Sequence, residues 1–423
     1  MTGESGVPLA QRHVPRYPCF MTVPHDFFAT TAKGLEDLLA DELRVLGATR
    51  VATTRAGVSF AGSLELAYRA CLWSRVASRI LLPLVSFRAE TPEALYAGVR
   101  RIRWLDHVNP RGTVAVTCAT SQSSLSHSHY AALKTKDAIV DQLRERTGAR
   151  PSVDVARPDV RVNIYLHRDR AAVSIDLSGD SLHRRAYREH GGAAPLKENL
   201  AAAILLLAEW PRLAAAGAPF IDPMCGAGTL PIEAALIAAD AAPGLRRAHF
   251  GFARWRGHQS DVWKRLLAEA TAREITDARR LPVMCGYDHD ARAVRTALGN
   301  VERAGLRGRV HIERRALADC EPPPSRHPGG GLFVVNPPYG ERLGDVDALG
   351  PLYEEIGNVL RRRFTGWTGY VLAGAPALAK RIGLRPAQRL VLYNGAIECR
   401  LLKLPISATT VQSSAGPGWR RTK

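Results

Sequence analysis

Cysteine is scarce in this 423-residue chain: seven residues, Cys19, Cys71, Cys118, Cys225, Cys285, Cys320 and Cys399, none of them spaced C-x-x-C. Scattered and odd in number, they argue against a disulfide framework and a zinc ribbon and suit a reducing, cytoplasmic compartment. His127 and His129 share a polar loop but have no third ligand at a suitable spacing, so no metal is expected. Also missing is any run of about 18 uncharged apolar residues, which argues against a membrane span. With 46% hydrophobic residues, a soluble protein with cores for two or three domains is expected. The first 24 residues lack an apolar h-region and hold Pro, Gly and Arg, so residues 1–24 read as a disordered tail rather than a signal peptide. Acidic residues are in deficit. Against 58 Lys and Arg stand 40 Asp and Glu, a formal charge of +18 that favours a polyanionic partner.

The chain divides into a front half of small mixed elements and a back half of alternating strands and helices. "HDFFATTAKGLEDLLADELRVLGA" predicts a strand at Phe27–Ala29 and an amphipathic helix from Lys33 to Leu46, closed by Gly47. A strand at Thr113–Ala119 and a helix from Tyr130 to Arg146 repeat that pattern, and "VRVNIYLHRDRAAVSIDLSG" reads as a hairpin turning at "HRDR". The run "LHRRAYREHGG", Leu182 to Gly192, interleaves Arg184, Arg185 and Arg188 with Tyr187. That pattern suits phosphate contact and base stacking, or a solvated linker, and it marks a domain boundary.

After a strongly apolar helix from Leu196 to Glu209, chemistry appears. In "PFIDPMCGAGTLPIEAALIAA" a short strand ends at Asp222 and Pro223, Gly226 and Gly228 make a tight turn, and a helix starts near Thr229. Such a loop lets a ligand approach the backbone, and the helix N-terminus favours a carboxylate or phosphate. A second strand, "PVMCGYD", ends in Asp288, placed either to hold a ribose diol at the strand's carboxyl end or to cap the helix that follows.

The stretch "LFVVNPPYGERLG" completes the set. "GLFVV" reads as a buried parallel strand that brings Asn336 to the same edge as Asp222 and Asp288. The amide oxygen of Asn336 and the carbonyl of Pro337 are acceptors for an exocyclic amine, Pro337 and Pro338 fix their convergence, and Tyr339 offers a face for an extruded base. Such a site orients a nitrogen lone pair toward an electrophilic carbon without a strong base, since the proton can leave after the nitrogen has become cationic.

"DPMCGAGT" followed by "NPPYGERLG" resembles the class I S-adenosylmethionine-dependent N-methyltransferases. With "FFATTAKGLEDLLADEL", "DLSGDSLHRRAYR" and "APLKENLAAAIL", the chain from about 25 to 405 resembles the THUMP-domain RNA guanine-N2 methyltransferases, the RlmL type that acts on bacterial 23S rRNA. The resemblance implies an α/β protein whose C-terminal Rossmann-like domain, a mostly parallel sheet with helices on both faces, follows a ferredoxin-like and THUMP α+β RNA-binding region. The expected parts are a ferredoxin-like segment at 25–65, a THUMP domain at 66–178, a basic linker at 179–195, the methyltransferase domain at 196–405 and a flexible basic tail at 406–423. By the same resemblance, Asp222, Pro223, Cys225, Gly226, Gly228 and Thr229 hold the methionine part of S-adenosylmethionine, Asp288 its ribose, and Asn336–Tyr339 the target guanine. Ala316 stands where the family carries an acid near the adenine, with Asp319 three residues on as the candidate substitute. Longer relatives carry a second methyltransferase domain behind, and this sequence ends before one. The implied partner is 23S rRNA. A tRNA substrate, and a non-catalytic RNA-binding or assembly factor, are the two alternatives.

Overall fold

The computed structural model describes residues 24–55, 57–188, 196–325, 327–339 and 345–407. Most of the expected tails, residues 1–23 and 408–423, lie outside the described residues, as do 189–195 of the linker and 340–344 after the "NPPY" tetrapeptide. Ile406, the first residue of the expected C-terminal tail, is buried and exchanges backbone hydrogen bonds with Gly366 and Trp367.

Among the described residues the strands form two sheets. The first contains β1 (His25–Thr30), β2 (Thr49–Thr54), β3 (Gly57–Gly62), β4 (Arg79–Arg88), β5 (Thr113–Ser121), β6 (Ser152–Val153), β7 (Val160–His167) and β8 (Arg170–Asp176), in the order β2-β3-β1-β4-β8-β7-β5-β6. The inward positions of β1 are Phe27 and Ala29, and Phe27 stacks on its cross-strand partner Phe60 with centroids 5.4 Å apart. The β7–β8 hairpin turns on Arg168 and Asp169, whose φ of 48° and 58° match the twist of the strands it joins. β4 runs antiparallel to both β1 and β8, so the two front units share one continuous sheet.

The second sheet contains β9 (Phe220–Asp222), β10 (Met284–Asp288), β11 (His311–Arg314), β12 (Leu332–Val335), β13 (Thr368–Ala373), β14 (Gln388–Asn394) and β15 (Ile397–Pro405), in the order β11-β10-β9-β12-β13-β15-β14. β9 to β13 are parallel, β15 pairs antiparallel with β13, and β14 pairs antiparallel with β15 at the edge. All four residues of β12 are buried, as a strand covered on both faces requires. β10 lies on one side of β9 and β12 on the other, so the order reverses at β9. Open α/β sheets bind ligands at such a switch point, outside the carboxyl ends of their strands.

One buried apolar cluster runs from Phe27 in the first sheet to Leu401 in the second. Polar bonds cross the same interface: Arg69 Nη1 lies 2.6 Å from Glu269 Oε1, and Tyr68 Oη lies 3.0 Å from His258 Nδ1. The front half therefore sits against the back half through packed surface. No helix among the described residues is long and apolar enough to cross a membrane.

Candidate active site

Three strand ends meet at the switch point. β9 ends in Asp222, which is 2% exposed and accepts from Met224 N at 3.1 Å. Burial, reinforced by the charge of Asp288, pushes the Asp222 carboxyl well above its ordinary value. The turn that follows is held from several directions. Cys225 N donates to Tyr287 O at 2.8 Å, Gly226 N donates to Asp288 Oδ2 at 2.9 Å, and Asn300 Nδ2 donates to Ala227 O at 2.8 Å. Gly226 and Gly228 take φ of +55° and +80°, which an L side chain rarely adopts, and the helix Thr229–Ala238 starts from Gly228. Burial raises the Cys225 thiol far above its usual range, which disfavours the thiolate.

β10 delivers Asp288 beside that turn, 8% exposed. Its Oδ1 accepts from Asp290 N at 2.9 Å and lies 3.4 Å from His289 Nδ1, while Oδ2 serves Gly226 and keeps a further acceptor position. The helix Ala291–Arg303 takes its side-chain cap from Asp290. Capping by Asp288, the alternative reading of the sequence, is therefore done by its neighbour. Asp319 sits exposed on the short turn Leu317–Asp319 after β11, and no hydrogen bond among the described residues ties its carboxylate to the glycine turn or to Asp288.

β12 ends one residue before Asn336. The Tyr339 hydroxyl donates to Asn336 Oδ1, which fixes the amide with its oxygen toward the ring and leaves that oxygen a second lone pair. Pro337 is buried, and Pro338 is exposed with its carbonyl accepting from Tyr353 Oη at 3.1 Å. Tyr339 is half-buried, and its hydroxyl also meets the Asn394 side chain. Gly374 leaves it room, since a Cβ there would come within 2.6 Å of the Tyr339 Cβ. Burial raises the Tyr339 phenol far above its ordinary value, so it stays a neutral donor.

The cradle suits an adenosyl cofactor at the expected residues. A Cβ on Gly226 would meet nothing within 4 Å, so the space over the turn is open, with Asp288 as acceptor beside it. Sequence reasoning missed Asn300, Tyr353 and Asn394. Asn300 alone had a signal, as a polar residue on the buried stripe Val294, Ala297, Val301 of its helix. Among the described residues no group of three or more His, Cys, Asp or Glu could hold a metal.

The basic run requires a correction. Arg185 and Tyr187 are each 2% exposed, and both turn inward to Glu233: Arg185 Nε lies 3.1 Å from Glu233 Oε1, and the Tyr187 hydroxyl donates to the same oxygen at 3.0 Å. Arg188 is half-buried, faces Glu198 at 3.6 Å, and donates to Thr229 Oγ1 at the start of the helix behind the glycine turn. Arg185 and Tyr187 are thus closed to RNA, because the Glu233 carboxylate that both of them bind lies within the fold. Arg184 remains exposed, with Asp180 3.9 Å away.

Comparison with known proteins agrees with this architecture. Residues 185–403 match the family described as RMKL-like, methyltransferase domain; residues 26–81 match the RlmL ferredoxin-like domain, and 89–176 the THUMP domain. The chain is 54% identical over 387 residues to a ribosomal RNA large subunit methyltransferase K/L of Syntrophotalea carbinolica, covering 92% of this chain and 54% of the relative. Against the protein of that name from Methylococcus capsulatus it is also 54% identical, covering 92% and 52%. The chain thus spans about half the length of the curated relatives it matches. The crystal structure of SMU.472, described as a methyltransferase complexed with SAH, superimposes with a TM-score of 0.80 at 31% identity, covering 92% of this chain and 99% of that one. With more than half of its length matched by that one family, and the RlmL ferredoxin-like and THUMP domains ahead of it, the chain belongs to the RMKL-like methyltransferase-domain family.

Proposed function

We propose that this chain transfers the methyl group of S-adenosylmethionine to the exocyclic N2 of a guanine in 23S rRNA, in the cytoplasm. The observation that carries the reading is the amide of Asn336, oriented by the Tyr339 hydroxyl at the strand edge that also holds the glycine turn and Asp288. The relatives' shared name, ribosomal RNA large subunit methyltransferase, supports the choice of substrate.

When bound, the cofactor supplies a methyl group on a positively charged sulfur, an electrophile that needs no activation by the protein. The rest falls to this chain's residues. The Asp222–Thr229 turn and Asp288 bind the cofactor; Asn336 Oδ1 and the Pro337 carbonyl accept the two N–H bonds of the guanine amine. Those hydrogen bonds turn the nitrogen lone pair out of conjugation with the ring and hold it in line for attack. Tyr339 offers its ring to the extruded base. With no strong base required, the proton leaves the nitrogen after methylation, from a cation that the two acceptors stabilise.

The test is transfer of labelled methyl from S-adenosylmethionine to total RNA of cells lacking this protein, followed by size separation and nucleoside mass analysis. Label in N2-methylguanosine of 23S rRNA is expected. Label in tRNA would move the substrate, and no label in any RNA with the cofactor still bound would favour a binding factor.

A further inference from the structure

Beside the candidate active site, between the two halves of the chain, lies a cleft of about 1120 Å3. Small-molecule pockets span roughly 300–1,000 Å3, so this one suits a longer ligand. Its lining comes from 154–161 leading into β7, 179–188 of the linker, Lys197 and Glu198, 247–254 of the back half, and Asn394, Gly395 and Ile397.

Eight Arg and Lys side chains line it against three carboxylates, an excess of one sign that calls for an anion. Part of the charge is internally paired, Arg185 with Glu233, Arg188 with Glu198 and Arg254 with Asp159. Part is not. Among the described residues Arg157 and Lys197, both exposed, have no ion-pair partner, and Arg184 has only Asp180 at 3.9 Å. Arg161 is 8% exposed, donates from Nη2 to Val155 O at 2.9 Å, and leaves its Nε without a hydrogen-bond partner. A buried guanidinium N–H left unmatched is costly, and an anionic oxygen entering the cleft would satisfy it. Two histidines register the same field. His183 is pushed down to about 4, by burial first and then by Lys197, Arg184, Arg185 and Arg188. His249 is lowered by burial and then by Arg254.

The cleft is joined to the candidate active site at two points. Arg188 reaches Thr229 at the glycine turn, and Asn394 reaches the Tyr339 hydroxyl. A base drawn out to Tyr339 must leave its stack, so the strand that carries it is locally unpaired. We propose that this cleft holds an unpaired stretch of RNA backbone, with phosphates on Arg157, Arg161, Arg184 and Lys197, and leads that strand past Asn394 to Tyr339. The inference rests on the RNA reading above.

The test is binding of a fluorescein-labelled single-stranded RNA, and of the same sequence as an RNA duplex, to the full chain across a KCl series. The double variant Arg157→Gln/Lys197→Gln is compared with Arg44→Gln/Arg50→Gln, which removes the same charge from an exposed site outside the cleft. Expected are tighter binding of the single strand by the wild type and about a tenfold loss in the cleft variant. The slope of log affinity against log salt should fall by roughly 1.4, about 0.7 for each lost phosphate contact, with cofactor affinity and melting temperature unchanged. Wild-type affinity and slope in the cleft variant would overturn the proposal, as would an equal loss in the control variant or a preference for duplex. A wild-type chain that binds S-adenosylmethionine but no RNA would overturn the RNA reading itself.

Discussion

The carboxyl edge of the second sheet and the basic linker both carry conspicuous motifs, yet only at the edge does the local pattern say where the side chains point. At the edge, a strand covered on both faces ends where its apolar run ends, so Asp222, Asp288 and Asn336 emerge together whatever surrounds them. In the linker, burial is decided by distant partners. Glu233, fully buried on the helix behind the glycine turn, draws Arg185 and Tyr187 inward, while Arg184, one residue away, stays in solvent. A charged residue buried in a fold is one whose counter-charge is buried with it.

That contrast can be broken by substitution. The largest effect is expected at the edge: Asn336→Ala should slow methyl transfer by on the order of 10³-fold, about 4 kcal/mol of barrier, with S-adenosylmethionine affinity by calorimetry unchanged. A variant with wild-type turnover would remove the amide from the chemistry. Next comes Glu233→Ala, which strands the Arg185 guanidinium and the Tyr187 hydroxyl in the interior and should cost about 3 kcal/mol of stability by denaturant unfolding. Glu233→Gln should cost less, since it keeps an acceptor for both. Gly228→Ala is smaller. At a φ of +80°, with Ala297 Cβ 3.1 Å from the new methyl, it should cost about 1–2 kcal/mol and weaken cofactor binding. Least of all, Arg184→Gln should change stability by less than about 0.5 kcal/mol, whereas Arg185→Gln unfolds far more easily. Equal effects from these two neighbours would contradict the buried pairing.

How much the sequence reveals follows the same division. The strand ends, the glycine turn and the hairpin at Arg168 and Asp169 are local, each set by a few consecutive residues, and they lie where periodicity and turn chemistry put them. Pairing between β4 and β8 joins segments far apart in the chain, and no local pattern encodes it. Tyr353, which anchors the Pro338 carbonyl, and Asn394, which meets Tyr339, read in the sequence as ordinary helix and strand residues, because their roles exist only once the second sheet has closed. Asp319, the candidate substitute for the acid expected near the adenine, lies exposed after β11.

The central question is whether the Asn336 amide serves methylation of guanine N2 in 23S rRNA. The direct measurement is nucleoside mass analysis of 23S rRNA from cells lacking this protein, complemented either with the chain or with its Asn336→Ala variant at matched expression. N2-methylguanosine restored by the chain and absent with the variant is the result expected. Restoration by both, or by neither, would contradict it.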